Sequence, residues 1–353
     1  MTQMMPEPAH AEGPAPTDEQ QTVGVSQARL VLRRFLSNKI SVVSGILFIL
    51  IAGFAISAVG AGPIPGWWKH DWTTLNSNFL PNGAPTLSLI PEWLGGSGIS
   101  LGEHPFGQDR IGVDAFAMTM RGIQNSIIVM FVISLTATVI GTLVGSIAGY
   151  YRGVVDSILM RITDVFIVIP VIVIGAVVAQ ASGRLGVWPL AFFLSLVSWM
   201  VIARLVRAEF LSLREREFVE AARVAGASDA RIIFKHILPN AIGVVIVAAT
   251  LLAASAILLE TALSYLQLGV RPPDVSLGYI ISDNQSAFQT RPWLFWWPAA
   301  FIVLLALLIN FVGDGLRDAF DPRQKRFSLR RTKEQPEQQT ARAEQDTAAT
   351  GTP

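Results

Sequence analysis

Apolar residues occur along this chain in long, almost unbroken runs. A helix that crosses the hydrocarbon core of a bilayer requires about 20 predominantly apolar residues. Runs of that kind occupy residues 40–61, 123–150, 158–181, 187–203, 241–265 and 293–312. The pattern predicts an all-α membrane protein with six transmembrane helices, the first of them at residues 40–61.

Composition agrees with this class of protein. Hydrophobic residues occupy 51% of the 353 positions and charged residues 15%, and the mean hydropathy is +0.47. Soluble domains carry about 25% charged residues, so a soluble protein is disfavoured. Cysteine is absent, which excludes disulfides, thiol nucleophiles and cysteine-based metal sites.

The basic residues orient the predicted helices. With the N-terminus in the cytoplasm, most of the 27 lysines and arginines lie in cytoplasmic segments, as the positive-inside rule favours. The opposite side then holds Lys69, Arg110, Arg121, Arg184, Arg271 and Arg291. Both termini, and the polar loop between the fourth and fifth helices, are therefore predicted to be cytoplasmic.

The segments around the runs differ in composition. Residues 1–39 combine a Pro-, Ala- and Glu-rich tail, expected to be disordered, with "SQARLVLRRFLSNK", a basic amphipathic helix suited to the inner leaflet. Residues 62–122 form an extracytoplasmic segment, and its part over residues 62–103 either contacts a partner protein or covers the pore. Residues 123–313 hold the other five helices, and residues 314–353 form a basic cytoplasmic tail.

Small residues and one proline mark features of helix packing. Gly141, Gly145 and Gly149 recur at every fourth position of the second run, a spacing that lets two helices approach closely. Pro170 lies within the third run and predicts a kink there.

Few ionisable residues lie inside the runs. Asp164 and Glu260 are close to the ends of theirs, and Asp314 follows the sixth. A carrier coupled to protons or sodium more often has an acidic site near the bilayer midplane. A stand-alone channel or secondary carrier is therefore the less favoured class.

Motifs for catalysis and metal binding are lacking. The histidines show no HExxH spacing, and no GxxxxGK[ST] sequence occurs. The sequence also has no GxSxG elbow. We expect no catalytic residue, metal ion or cofactor in this chain, so that any ATP hydrolysis takes place on a separate protein.

One charged stretch, "EFVEAARVAGASDARIIFKHILPNA", separates the fourth and fifth runs. Helix-forming residues lead up to Gly226, which can adopt positive φ and end a helix. Ser228 or Asp229 can then cap a second helix. The stretch therefore predicts two short helices joined by a tight turn.

The second short helix is amphipathic. Ile233 and Ile237 share one of its faces, and Pro239 is expected to break the helical register before the fifth run. A solvated loop with surface ion pairs is the plain alternative. The combination of small residues, a turn glycine and an apolar face favours a docking element over residues 211–240.

The same stretch resembles the EAA loop of ABC-importer permeases, in which E-A-A is followed by a glycine and then by I-L-P. The matching positions are Glu220, Ala221, Ala222, Gly226, Ile237, Leu238 and Pro239. The resemblance implies the type I importer permease fold, and it assigns these residues to an ATPase-coupling loop.

Neighbouring stretches narrow the resemblance. "HPFGQDRIGVDAF", "GYYRGVVDSILMRITDVFIVIP", "LSYLQLGVRPP" and "NFVGDGLRDAFDPR" are similar to the C-type permease subunit of dipeptide and oligopeptide importers. Three positions depart from that pattern. Val113 stands where the family has arginine, Gln267 where it has glycine, and Leu277 where it has tryptophan.

The resemblance implies a heteromeric machine in a bacterial cell membrane. A B-type permease would pair with this chain, two ATPase subunits would bind ATP and Mg²⁺, and an extracytoplasmic binding protein would deliver a peptide. The loop's role would be mechanical, and no contact with nucleic acid is implied. A nickel complex or glutathione is the alternative substrate within the same family, and the sequence identifies no substrate-binding residue.

Overall fold

A computed structural model of the chain describes residues 27–75, 81–88, 98, 100–181 and 186–320. The predicted disordered tail, parts of the extracytoplasmic segment and the basic tail beyond residue 320 lie outside the described residues.

Helices make up most of the described chain. They are α1 (Gln27–Ser37), α2 (Lys39–Val59), α3 (Ala115–Tyr151), α4 (Gly153–Val168), α5 (Val171–Ala181), α6 (Val187–Ser195), α7 (Met200–Leu213), α8 (Glu217–Val224), α9 (Asp229–Tyr265), α10 (Leu277–Asp283) and α11 (Trp293–Phe320). Two short strands, β1 (Gly60–Ala61) and β2 (Ile64–Pro65), form an antiparallel pair after α2.

Up to six candidate membrane spans lie within the described residues, counting each bent helix pair as one. Helices α2, α3, α9 and α11 are each long and apolar enough to cross a bilayer, and the bent pairs α4–α5 and α6–α7 each qualify as one further span. The prediction of six is confirmed by this count. Helix α3 begins earlier and α11 ends later than the apolar runs, so both extend beyond the predicted spans.

Side-chain caps fix where two of the spans begin. The Asn38 side chain accepts a hydrogen bond from the Ser41 N–H at the start of α2, at 3.4 Å. The Asp114 carboxylate accepts one from the Ala117 N–H at the start of α3, at 2.8 Å. Each cap satisfies a backbone donor that has no partner inside its helix.

The two bent pairs have different causes. Helices α4 and α5 meet at 80° on either side of Pro170, whose ring cannot continue a regular helix, so the predicted kink is confirmed. The span predicted over 187–203 continues to Leu213, and it is bent, since α6 and α7 meet at 40°. There the Ser195 and Ser198 hydroxyls donate to the backbone carbonyls of Phe192 and Leu194, a side-chain bond that competes with the helix ladder.

The core of the bundle lies between α2, α3, α9 and α11. Phe48, Met120, Ile257 and Leu305 contribute to one buried apolar cluster, each from a different one of these helices. Helix α1 lies against the end of α11, where the Arg34 guanidinium donates to the Ala319 carbonyl at 3.4 Å. Leu32 and Leu36 of α1 remain exposed, which suits a helix on a membrane surface.

The glycine repeat of α3 packs against α7. A methyl group at Gly141 would lie 2.7 Å from the Trp199 carbonyl oxygen, and one at Gly149 would lie 2.6 Å from Cβ of Phe210. At Gly145 the same group would lie 2.9 Å from Cβ of Val206. These separations leave no space for a side chain, so the predicted close approach of two helices is confirmed, with α7 as the partner.

We predict that Gly145→Ala destabilises the subunit by about 1–3 kcal/mol, the usual cost of overpacking a tight contact. The added methyl group forces α3 and α7 apart. The melting temperature of the purified protein in detergent measures the effect.

Gly53→Ala is the matched control, because nothing lies within 4 Å of a methyl group added at that position of α2. Its melting temperature should stay the same or rise. Equal loss of stability in both variants would show that the α3–α7 contact has room to adjust.

Candidate functional site

The predicted coupling loop is a compact two-helix structure. Helix α7 ends at Leu213, α8 covers Glu217–Val224, and α9 begins at Asp229. The backbone of Ser228 has the extended conformation of a helix cap, although its side chain makes no capping hydrogen bond. The predicted turn between two helices is therefore confirmed, but the second helix is not short, because α9 continues to Tyr265. A separate turn lies between α7 and α8.

Gly226 closes the turn between α8 and α9. Its φ is +77°, and its N–H donates to the Arg223 carbonyl while the Ala227 N–H donates to the Ala222 carbonyl, both at 3.0 Å. This pair of bonds is the Schellman motif, which requires a left-handed residue at the position of Gly226. A methyl group on Gly226 would meet no atom within 4 Å. Glycine is therefore favoured here by the backbone conformation and not by crowding.

An apolar core holds the two helices together. Val219 of α8 and Ile232, Ile233 and Ile237 of α9 are buried against Phe210 of α7. The prediction that Ile233 and Ile237 share a packed face is confirmed.

The predicted loop residues divide between this core and the surface. Ile237 is buried, and Ala222 and Leu238 pack against the same cluster. The others, Glu220, Ala221, Gly226 and Pro239, are exposed.

The exposed side of α8 combines a carboxylate with apolar groups. Within the described part of the chain, no hydrogen bond or ion pair engages the Glu220 side chain. Val224 is 85% exposed, and Phe218 and Phe234 are also exposed. An acceptor without a partner, beside uncovered apolar side chains, suits contact with another protein.

The helical register changes just before Pro239, as predicted, but the helix does not end there. Helix α9 runs from Asp229 to Tyr265 as one helix of 37 residues. Residues Ile232–Ile237 form a π-helical segment, in which the Leu238 N–H donates to the Ile233 carbonyl. This wider turn precedes the proline, and it is a recognised way for a helix to depart locally from the regular ladder.

Polar bonds attach the loop to the end of α3. The Tyr150 hydroxyl donates to the Asp229 carboxylate at 2.7 Å, and the Arg214 guanidinium donates to the Tyr150 carbonyl. Arg152 forms an ion pair with Glu215 at 3.0 Å. Sequence reasoning did not find these contacts, since their partners are far apart in the chain. The one indication of these contacts in the sequence is that Tyr150 lies at the end of the second apolar run, just before a basic turn.

Two ion pairs join the bent spans near the loop. Arg207 of α7 binds both carboxylate oxygens of Asp156 of α4, with one N–O distance of 2.6 Å. Arg204 of α7 forms an ion pair with Asp164 of α4. Along the sequence, Asp164 lies about one helical turn after Arg161. These pairs hold α4 against the helix that leads into the loop.

The stretch "HPFGQDRIGVDAF" forms a buried polar network at the start of α3. His104 Nδ1 lies 2.8 Å from an Asp114 carboxylate oxygen, and its Nε2 lies 3.0 Å from the Gln108 amide nitrogen. The Trp68 indole N–H donates to the other oxygen of Asp114 at 2.8 Å. The motif therefore builds the cap of α3.

Asp109 of the same stretch is buried at a turn. Its carboxylate accepts hydrogen bonds from the N–H groups of Ile111 and Val113, at 2.9 and 2.8 Å. Burial nevertheless raises the pKa of the Asp109 carboxyl above its ordinary value, and the nearby charge of Asp283 acts in the same direction.

The departures from the family pattern have distinct surroundings. Val113 is buried in a small apolar cluster with Met118 and Val275, and Leu277 is buried at the start of α10. Gln267 has a φ of +60°, a conformation that favours glycine. The glycine of the family pattern is thus the better fit to this backbone.

Comparisons with known proteins match most of the chain. Residues 141–326 match the family model described as binding-protein-dependent transport system inner membrane component. Residues 26–85 match the N-terminal TM domain of oligopeptide transport permease C.

The matches to curated relatives extend over nearly the full length of those proteins. Oligopeptide transport system permease protein OppC of Mycobacterium tuberculosis is 36% identical over 307 residues, which is 87% of this chain and 97% of that protein. The protein of the same name from Bacillus subtilis is 35% identical over 290 residues, 82% and 88% of the two chains. A solved structure of the inward-facing MetNI methionine ABC transporter matches with a TM-score of 0.49 and 22% identity, covering 58% of this chain and 96% of that one.

We predict that Tyr150→Phe loosens the loop, because it leaves Asp229 without the hydroxyl donor. One lost hydrogen bond corresponds to about 1 kcal/mol, or about fivefold in an opening equilibrium. Hydrogen–deuterium exchange of the amides in residues 217–232 should accelerate by about that factor.

The neighbouring Tyr151→Phe is the matched control. Tyr151 is exposed, and within the described residues no hydrogen bond to its hydroxyl is found. Exchange that is as fast in this control as in Tyr150→Phe would contradict the assigned role of the Asp229 contact.

Proposed function

Because the chain belongs to the family of binding-protein-dependent transport system inner membrane components, which are permease subunits of ABC importers, we propose that it is the C-type permease of an ATP-driven importer of di- and oligopeptides. The observation that carries this proposal is the two-helix coupling loop. Its exposed face offers Glu220 to a partner, and its second helix continues directly into the membrane.

The proposed partners are those that membership of this family implies. A B-type permease completes the passage, two ATPase subunits bind ATP and Mg²⁺, and an extracytoplasmic binding protein delivers the substrate. This chain contributes no catalytic group to ATP hydrolysis. Both termini and the coupling loop lie on the cytoplasmic side of a bacterial inner membrane, as the distribution of basic residues favours.

The proposed mechanism is mechanical coupling. Closure of the ATPases displaces α8, and the shared apolar core moves the start of α9 with it. Helix α9 is 37 residues long and therefore about 55 Å at 1.5 Å per residue. A displacement at the loop is thus carried across the membrane by one rigid element and biases the passage between inward-open and outward-open states.

Each matched loop residue has a place in this proposal. Glu220 accepts a hydrogen bond or ion pair from a polar or cationic group of the ATPase, and Ala221 keeps the neighbouring surface flat. Ala222, Ile237 and Leu238 hold the helix pair on its core. Gly226 supplies the turn, and Pro239 marks the point where the π-helical segment returns to a regular α-helix.

Peptide is proposed as the substrate because both curated relatives cited above carry oligopeptide transport in their names. The test is uptake by the reconstituted complex of this chain with its permease, ATPase and binding-protein partners. We expect ATP-dependent uptake of a labelled peptide of a few residues, and no competition by a nickel complex or by glutathione.

Either competitor taken up in place of peptide would redirect the proposal to another substrate of the family. Uptake by this chain alone, without ATPases, would instead indicate a channel or secondary carrier.

We predict that Gly226→Val uncouples ATP hydrolysis from transport while the complex still assembles. A β-branched residue is poorly tolerated at positive φ, where even ordinary residues are strained by about 1–2 kcal/mol. The strained turn should move α8 relative to α9. Peptide uptake per ATP hydrolysed, measured in proteoliposomes, should fall severalfold.

Gly226→Asn is the matched control, because asparagine adopts the left-handed conformation more readily than other residues with a side chain. It should retain most of the coupling. If the valine variant transports as well as the wild type, the turn has no role in coupling.

A further inference from the structure

One carboxyl group is buried at the end of α9 opposite the coupling loop. Glu260 is 0% exposed, although it lies within a membrane span. The Ser126 hydroxyl donates to its Oε2 at 3.0 Å, and the Ser264 hydroxyl donates to its Oε1 at 2.6 Å. The Ser276 hydroxyl also lies close to the same carboxyl.

The three serines come from three different parts of the chain. Ser126 is on α3 and Ser264 is on α9, whereas Ser276 belongs to residues 266–287, which we call the distal segment. Glu260 thus joins two spans and the segment that follows α9. A buried acidic group in a membrane span is costly and normally marks function.

Two of the serines also hold the backbone of the distal segment. The Ser264 hydroxyl accepts a hydrogen bond from the Val270 N–H, and the Ser276 hydroxyl accepts one from the Tyr279 N–H, both at 3.2 Å. The second bond caps α10. The carboxyl therefore orients one hydroxyl that holds the segment to α9, and it lies close to a second hydroxyl that caps α10 within the segment.

The distal segment also rests directly on the backbone of α9. A methyl group at Gly269 would lie 2.6 Å from Cα of Ser264, and one at Gly278 would lie 2.5 Å from the Thr261 carbonyl oxygen. Contact this close leaves little freedom for sliding between the two elements.

Polar groups of α3 complete the attachment on the other side. Arg121 forms an ion pair with Asp274 at 2.7 Å, and the Asn125 amide donates to the Val275 carbonyl at 2.7 Å. The distal segment is therefore fixed to α3 as well as to α9.

We propose that Glu260 is a positioning residue that fastens the distal segment to α9 and α3, so that the segment moves with α9 when the coupling loop is displaced. The inference rests on the proposed importer function. Loss of the carboxyl leaves the buried hydroxyls of Ser126 and Ser264 without their acceptor, which loosens both the contact of α9 with α3 and the Ser264 bond to the segment. The coupling loop and the ATPases are untouched by that loss.

The first experiment measures peptide uptake per ATP hydrolysed by the reconstituted importer. Glu260→Ala should lower this ratio about tenfold or more, with assembly and ATP hydrolysis retained. Ser126→Ala and Ser276→Ala should lower it by a smaller factor, and Ser276→Thr, which keeps the hydroxyl, should restore it.

Ser255→Ala is the matched control on the same helix, since the exposed Ser255 hydroxyl donates only to the Leu251 carbonyl among the described groups. It should keep the wild-type ratio.

The second experiment measures distances and uses the absence of native cysteine. Spin labels at Ser255→Cys and Gln285→Cys report the position of the distal segment relative to α9. Their separation should be the same in the nucleotide-free and ATP-bound importer, and it should broaden or shift when Glu260→Ala is added. Labels at Ala230→Cys and Ser255→Cys, both on α9, should keep one separation in every variant.

Wild-type coupling and unchanged label distances in Glu260→Ala would overturn the proposal. If that variant does not assemble, Ser126→Ala and Ser276→Ala decide, and wild-type coupling in both would also overturn it. A wild-type complex that hydrolyses ATP without importing peptide would contradict the proposed function. The label distances would still test whether Glu260 attaches the distal segment to α9.

Discussion

The close contact between α3 and α7 is the interaction on which the coupling loop depends. Because the glycines of α3 carry no side chains, α7 lies against the α3 backbone along much of its length. That contact brings Arg214, at the end of α7, onto the Tyr150 carbonyl, and it leaves the Tyr150 hydroxyl within reach of Asp229. A wider helix separation would remove both bonds. The position of the loop is thus set by packing inside the membrane.

Helix α9 links the two polar sites of the chain. At one end it forms half of the coupling loop, and at the other it carries Glu260. A helix this long would be expected to end or bend at Pro239, yet the π-helical segment before the proline keeps α9 continuous. The same helix can therefore take a displacement at one end and deliver it at the other. In the proposed mechanism, coupling requires a stiff connection and firm attachment at both ends.

The sequence predicts those features whose physical cause is local. Apolar length identifies the spans, Pro170 identifies a kink, and the left-handed preference of glycine identifies the turn at Gly226. The break between α6 and α7 is harder to predict, because it contains no proline or glycine and arises from serine hydroxyls that donate to nearby carbonyls. The contact of Tyr150 with Asp229 joins residues 79 positions apart, and no local pattern indicates it. Gln267 is the converse case. The family pattern has glycine at this position, and glycine suits the positive φ found here better than glutamine does.

Two glutamates of this chain show how much a carboxyl group depends on its surroundings. Glu220 is exposed and has no partner among the described residues, so its acceptor capacity is available to another protein at little desolvation cost. Glu260 is completely buried, accepts hydrogen bonds from two hydroxyls and lies close to a third, so its capacity is used within the chain. Exchanging these environments would leave a buried carboxyl without donors, which is among the costliest arrangements in a protein interior. The sequence shows the same residue type at both positions, and the donors that distinguish them become visible only when α3, α9 and the distal segment are assembled.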